Sequence, residues 1–283
     1  ILGFSSYYSF RARYALMRPL TRDGFRQQMI PYDYQNLPEL FGKIKPFSFR
    51  KIKEDCLDLP PKIYMKRELT MSTEQLEIYN QLKKYARAVL LDKEISYTNK
   101  LTELLRLHQV TCGFFSPNQG EIQTLNNPKM KELCNIIDET SGKMIIWANY
   151  IHNIQEILKV LKKQYPYDRA VSIYGAVSVA DRDKAVENFQ NDKYTKFMVG
   201  NPATGGLGLN LTAANTVVYF SNSYDLTLRE QSEDRAHRKG QTKSVTYIDL
   251  VMKGTIDEFI ILALNKKKKM SAQTLGEDVL NFL

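Results

Sequence analysis

The sequence predicts an α/β fold, a parallel β-sheet covered by helices on both faces, with an inserted helical subdomain. Two textures carry that expectation. From residue 128 onward, apolar runs of strand length alternate with helix-patterned stretches, and this alternation is the signature of a sheet wrapped by crossover helices. Upstream, residues 72–112 keep a helical period without strand-like runs.

Ser72 and Gln75 have capping-box spacing, and Leu76, Tyr79, Leu82, Ala86 and Val89 then recur every three or four residues. A second helix should carry Leu101, Leu104, Leu105 and His108 on one side, with Gly113 as its stop. His108 fits a packed helix edge better than a ligand position. The expected strands are Met144–Ala148, Ala170–Tyr174, Phe197–Gly200, Thr216–Phe220 and Val245–Val251. Among the intervening helices, one opens at Asn127-Pro128, with proline in its first turn. Another spans His152–Lys163, with Ile154, Ile157, Leu158 and Leu161 on one face. Ser178-Val-Ala-Asp181 reads as a capping box opening Ala180–Gln190. In parallel sheets ligands sit at the carboxyl ends of the strands.

The 283 residues hold 40 Lys+Arg against 31 Asp+Glu, a net charge of +9. The excess lies in the flanks: residues 1–60 carry +4, whereas 126–265 carry +1. This charge fits a polyanion partner or plain solubility equally well. No run approaches the roughly 18 apolar residues of a membrane span, so no membrane partner is expected. Cys56, Cys112 and Cys134 are odd in number and far apart, which predicts a reducing compartment rather than a disulfide framework or a Cys-x-x-Cys zinc site. The chain begins with Ile1 and reads as a piece of something longer.

Phosphate-loop chemistry requires Gly-Lys followed by Ser or Thr. Gly-Lys occurs at Gly42-Lys43-Ile44 and Gly142-Lys143-Met144, and neither qualifies. Cys134–Glu139 imitates a strand ending in an acidic magnesium site, but its apolar spacing continues a helix from Lys129. The informative stretch is 200–241. Gly205, Gly206 and Gly208 allow a tight loop at the end of a strand. On a helix, Gln231, Arg235 and Arg238 would share one face. Two guanidiniums there suit a phosphate. The adjacent Glu230, Glu233 and Asp234 suit a salt-bridged surface helix instead, and spacing alone leaves both open.

Gly205-Gly206-Leu207-Gly208-Leu209-Asn210-Leu211, followed by Gln231-Ser-Glu-Asp234-Arg235-Ala-His-Arg238-Lys-Gly240-Gln241, resembles the fifth and sixth motifs of superfamily-two helicases of the Swi/Snf branch. Lys143–Asn149 resembles the fourth motif, and Tyr174–Arg182 with Phe189 the segment after it. Lys45–Lys53 and Leu59–Lys62 resemble the junction between two motor lobes. Gln75–Tyr79 and Leu105–Gln109 resemble the helical protrusion. The resemblance covers about residues 45–262. Two departures, Asn201-Pro202 for Ser-Thr and Ser223-Tyr224-Asp225 for Trp-Asn-Pro, point toward bacterial or phage relatives.

The resemblance implies the second RecA-like lobe of an ATP-driven translocase on double-stranded DNA, cytoplasmic, or nuclear in a eukaryote. ATP and Mg2+ would be held mainly by an N-terminal RecA-like lobe of the same protein. It implies ATP phosphates for Arg235 and Arg238, with Gln231, Gly206 and Gly208 beside them. Asn149, Gly175, Arg182 and Asn201 would face the DNA backbone, although Arg182 could equally bridge Asp181 or Glu187. The implied divisions are a helical remnant of the first lobe with the junction (1–60), a protrusion (61–125), the RecA-like lobe (126–265) and a basic tail (266–283). Within the tail, Lys266–Lys269 reads as a solvated helix end, a contact to DNA or the other lobe, or an import signal. The alternatives are a strand-separating helicase and a non-catalytic scaffold of the same fold.

Overall fold

The computed structural model describes residues 2–20, 28–49, 53–91, 97–116, 121–204 and 208–274. In chain order the elements are α1 (Tyr7–Tyr14), β1 (Ala15–Leu20), β2 (Gln28–Tyr34), α2 (Leu37–Ile44), α3 (Lys53–Cys56), β3 (Lys62–Leu69), α4 (Thr73–Leu91) and α5 (Tyr97–Thr111). They continue with β4 (Phe114–Phe115), β5 (Gln123–Thr124), α6 (Pro128–Glu139), β6 (Lys143–Trp147), α7 (Ile151–Gln164), β7 (Arg169–Ile173) and α8 (Val179–Asn191). The last are β8 (Thr195–Gly200), β9 (Ala214–Tyr219), α9 (Leu226–Ala236), β10 (Val245–Met252) and α10 (Ile256–Thr274). A short 3-10 turn, Lys45–Phe47, follows α2.

Six strands form a parallel sheet in the order β3-β10-β9-β6-β8-β7. The chain leaves β8 on one side of β6 and re-enters as β9 on the other. That reversal is the kind of switch point where such sheets bind ligands. All five strands expected from the sequence are present. One face is closed by α6 and α7 through Leu133, Ile136, Ile154, Ile157 and Leu161, all buried. The other is closed by Ala185 and Phe189 of α8, with Leu211 and Ala236. The Gly142-Lys143 pair has a structural job. Lys143 reaches across to the carbonyls of Phe189, Gln190 and Asp192, satisfying the carboxyl end of α8.

The protrusion, α4 and α5, meets the lobe at the start of α10, where Tyr79, Leu107, Val110 and Ile256 pack together. The Ser72–Gln75 capping box is complete in both directions, and the Gln75 amide continues to the Val110 carbonyl at 2.8 Å. Gly113 ends α5 with φ +84, and a Cβ there would lie 2.3 Å from the Asn127 side chain. Beneath the seam, Lys129 and Asp257 pair at 2.6 Å, both buried. Asp257 also accepts from Thr111 and from the Met252 N–H. His108 bonds Tyr150 there, and burial pulls its pKa down to about 4. It is a packed side chain, as its spacing predicted.

Several expectations fail. Residues 62–69 do not belong to the protrusion: they form β3, an edge strand of the main sheet. Its exposed side chains hide it from hydrophobic patterning. Residues 1–60 are not wholly helical, since β1 and β2 form a hairpin. On α5, Leu101 and Leu105 are exposed, and Leu107 and Val110 are buried instead. Lys266–Lys269 lie inside α10, which runs on to Thr274, so they neither end a helix nor start a tail. Lys267 donates to the Tyr224 carbonyl at 2.6 Å, and Lys268 lies over the Tyr64 ring.

Candidate nucleotide and nucleic-acid site

Two groups of predicted residues gather at the carboxyl ends of the strands. The first lines β6, β7 and β8. The Asn201 amide donates to the Asn149 carbonyl at 2.8 Å and accepts from the Ala203 N–H. The Asn201 N–H in turn bonds the Ile173 carbonyl. Arg182 reaches back from α8 to the carbonyls of Tyr174 and Gly175, each at 3.3 Å. Neither Asp181 nor Glu187 holds it in an ion pair of the described residues. Asn149, Gly175, Arg182 and Asn201 therefore lie along one edge, tied mainly through main-chain atoms. The space around Gly175 is open.

The second group surrounds the end of α9. Asp225 caps this helix by accepting from the Leu228 N–H, so the departure at Ser223-Tyr224-Asp225 supplies a helix start. The helix ends at Ala236, with His237 as its C-cap. Gln231 and Arg235 share a helical face, but Arg238 lies beyond the helix, and the predicted three-residue face does not form. Arg238 instead folds back and donates to the carbonyls of Gly208 and Leu209, each at 3.2 Å. Gly208 adopts φ +72, the left-handed conformation a glycine tolerates. Gly206 lies outside the described residues. Gln231 is exposed, and Arg235 and Arg238 are partly buried. Partial burial and the Arg238 charge both push the Arg235 pKa down. Two neighbouring guanidiniums thus repel one another beside a glycine loop.

Asp234 offsets part of that repulsion, but the carboxylates of Glu233 and Asp234 are also engaged by other cations. Glu233 is 5% exposed, and its carboxylate accepts from Arg229 Nε at 2.8 Å, Lys62 Nζ at 3.2 Å and the Tyr64 hydroxyl at 2.7 Å. Burial raises its pKa, but the Arg229 and Lys62 charges with these hydrogen bonds outweigh it and leave it below the usual range. Asp234 pairs with Lys53 at 2.7 Å and Lys62 at 3.4 Å. Arg229 stacks 3.5 Å from the Tyr219 ring centroid and pairs with Asp249. Adjacent strands β9, β10 and β3 each aim a tyrosine at α9: Tyr219 to Ser232, Tyr247 to the Glu233 carbonyl, and Tyr64 to the Glu233 carboxylate.

Sequence reasoning missed this network. Its signal was present as tyrosines at core positions of β9 and β10, because a buried hydroxyl needs a partner. It also gave no role to Gln241. That amide, buried, donates to the carbonyls of Thr212, Ala214 and Ala236 and accepts from the N–H groups of Thr242 and Lys243. It thereby pins the loop after Gly208 to the end of α9.

A glycine loop and an arginine-bearing helix end, pinned together at the switch point of a parallel sheet, decide the family comparison. Residues 128–240 match the family model of the helicase conserved C-terminal domain. The chain is 29% identical over 285 residues to the putative ATP-dependent helicase/translocase YwqA of Bacillus subtilis. The match takes in 95% of this chain and 29% of that protein. The chain thus spans less than a third of the length of the curated relatives it matches. The Sulfolobus solfataricus SWI2/SNF2 ATPase C-terminal domain shares the fold, with a TM-score of 0.59 and 23% identity, over 73% of this chain and 86% of that one. The core of the same ATPase, solved in complex with double-stranded DNA, matches with a TM-score of 0.61 and 26% identity, over 96% of this chain and 57% of that one. This region of the chain is therefore homologous to the second, RecA-like lobe of SWI/SNF-type ATPases.

Proposed function

We propose that this chain is the second motor lobe of an ATP-driven translocase on double-stranded DNA. Arg235 and Arg238 supply positive charge to the phosphates of an ATP presented by an N-terminal RecA-like lobe of the same polypeptide. The observation that carries this reading is the pairing of those two guanidiniums beside the Gly208 loop, while Glu233 and Asp234 are engaged by Lys53, Lys62 and Arg229.

Phosphoryl transfer depends on positioning and charge stabilisation, and an arginine finger can contribute about 10³–10⁵ in rate. Placing it on a separate lobe couples hydrolysis to lobe closure. A bound ATP would supply the transferable phosphoryl group. The residues here fit its phosphates, and Mg2+ is assigned to the other lobe. The edge formed by Asn149, Gly175, Arg182 and Asn201 would follow the DNA backbone, where contacts to phosphate carry no base information. The DNA-bound state of the Sulfolobus relative supports this assignment. Such a motor would work where the DNA is, in a bacterial cytoplasm or a nucleus. Among the described residues no helix is long and apolar enough to cross a membrane.

The test is DNA-stimulated ATP turnover in the full polypeptide. Arg235→Lys and Arg238→Lys each keep the charge but lose the planar fork. Turnover should fall on the order of 10² or more, with DNA affinity within a factor of two. Normal turnover in both variants would defeat the reading.

A further inference from the structure

Arg235 and Arg238 are flanked in sequence by three anchored residues, Glu233, Asp234 and His237. Each is held from one distant stretch, residues 53–64, which leads into the edge strand β3. Lys53 Nζ lies 2.7 Å from Asp234 Oδ1 and also donates to the His237 carbonyl. His237 Nε2 donates to the Pro60 carbonyl at 2.7 Å. Lys62 reaches both Glu233 and Asp234, and the Tyr64 hydroxyl closes the set on Glu233.

The contacts differ in depth. The Lys62 and Glu233 side chains are 22% and 6% exposed, whereas Asp234, at 48%, lies nearer the rim, where an ion pair contributes less. Tyr64 is also fixed from its ring face, stacked on Tyr247 with centroids 5.3 Å apart. The anchors sit on both sides of the helix end: Glu233 and Asp234 precede Arg235, while His237 precedes Arg238. Together they fix both the rotation of α9 about its axis and the direction in which the chain leaves it. Neither is set by the helix alone, because α9 ends at Ala236, between the two arginines.

We infer that residues 53–64 act as a positioning strap, in which Lys53, Pro60, Lys62 and Tyr64 set the aim of the arginine-bearing end of α9. The inference rests on the functional reading given above. The strap touches neither nucleotide nor DNA in that reading; it acts through Arg235 and Arg238.

The experiment compares Lys62→Met, Lys62→Arg and Tyr64→Phe in the full polypeptide, reading kcat and KM for ATP, DNA affinity and Tm. Tyr64→Phe keeps the stacked ring and removes only the hydroxyl, so it decides the matter should Lys62→Met fail to fold. Misaim of a catalytic group by about 1 Å costs up to 10²-fold. The expected result is a fall in kcat on the order of tenfold for Lys62→Met and about threefold for Tyr64→Phe. KM and DNA affinity should stay within a factor of two, and Lys62→Arg should recover most of the loss. In an Arg238→Lys background, Tyr64→Phe should cost less than it does alone, because the two act on one unit. Unchanged kcat in Tyr64→Phe and Lys62→Met, with Arg238→Lys still impaired, would overturn the strap and leave the functional reading standing. A parallel rise in KM, loss of DNA affinity and fall in Tm would also overturn it, as general loosening of the lobe. Normal turnover in both Arg235→Lys and Arg238→Lys would remove the functional reading itself.

Discussion

At the end of α9, the backbone around Arg235 and Arg238 is fixed by charged and aromatic side chains drawn from β3, β10 and residues 53–64. At the carboxyl ends of β6, β7 and β8, Asn149, Gly175 and Asn201 are held by single hydrogen bonds between polar side chains and main-chain groups, and none of these bonds is an ion pair. The two edges lie on one sheet yet differ in kind. A group that must meet a developing charge needs a fixed aim, and interlocked ion pairs at low exposure supply one. A surface that follows a uniform phosphate backbone needs no such aim. Main-chain groups at strand ends suffice, and they leave the edge weakly charged.

The largest effect separates the arginine edge from the rest of the motor. The chain alone should show no DNA-stimulated phosphate release, at least about 10³-fold below the full polypeptide, because the arginines are half of a site. Turnover by the purified chain, surviving removal of contaminants, would break the account at its root.

The next effect measures how differently the two edges are built. Glu233→Ala removes one of two carboxylate partners from both Arg229 and Lys62, which keep Asp249 and Asp234, together with the Tyr64 hydrogen bond, and should cost about 3 kcal/mol in urea unfolding. Asn201→Ala removes hydrogen bonds to one carbonyl and one N–H and should cost about 1–2 kcal/mol. Equal costs would erase the contrast.

The protrusion seam shows whether buried polar groups also fix this part of the molecule. His108 titrates at about 4 in the folded chain against 6.5 ordinarily, because burial opposes its charge. The unfolded chain therefore takes up the proton first. Stability is full above about pH 6.5 and declines as pH falls toward 4, by on the order of 2–3 kcal/mol. Glu233, Asp234 and Asp257 have lowered pKa values, so their contributions begin to be lost as pH falls through the usual carboxylate range and go on falling below it. Their loss thus lies mostly below that of His108. His108→Gln should reduce the slope between pH 6.5 and 4, leaving the share of His152 and His237, whose pKa values burial also lowers, and should leave the acid limb. An unchanged slope would assign it to other groups.

The smallest effect belongs to the strand-end edge. Arg182→Ala should reduce the salt dependence of DNA binding by one phosphate contact, about 0.9 in the log–log slope. An unchanged slope in a folded variant would confine Arg182 to its structural ties with the Tyr174 and Gly175 carbonyls.

The lobe itself was readable because β6, β8, β9 and β10 are largely buried and spell near-continuous apolar runs, and the edge strand β7 keeps a short apolar core at Ala170–Ile173. β3 was not readable: it is an edge strand with five of its eight residues exposed, and a sequence such as Lys62–Leu69 carries too many charges to show the pattern. The arginine motif was recognisable by its residues, yet its geometry was misjudged. Spacing assumes that a helix continues, and α9 stops at Ala236, so Arg238 turns back to the loop. The strap was invisible because its partners are some 170 residues apart and made of lysines and tyrosines that each look like ordinary surface residues. Only β3 pairing with β10 brings them under α9.

The central claim is that Arg235 and Arg238 act on the nucleotide in its transition state and not on DNA. The direct measurement is affinity of the full polypeptide for ADP with aluminium fluoride, which mimics the transferring phosphoryl group, in parallel with affinity for DNA. Arg238→Lys should weaken the mimic on the order of 10²-fold, with ATP weakened only a few-fold and DNA affinity within a factor of two. Unchanged affinity for the mimic with weakened DNA binding would place this helix end on the nucleic acid and contradict the account.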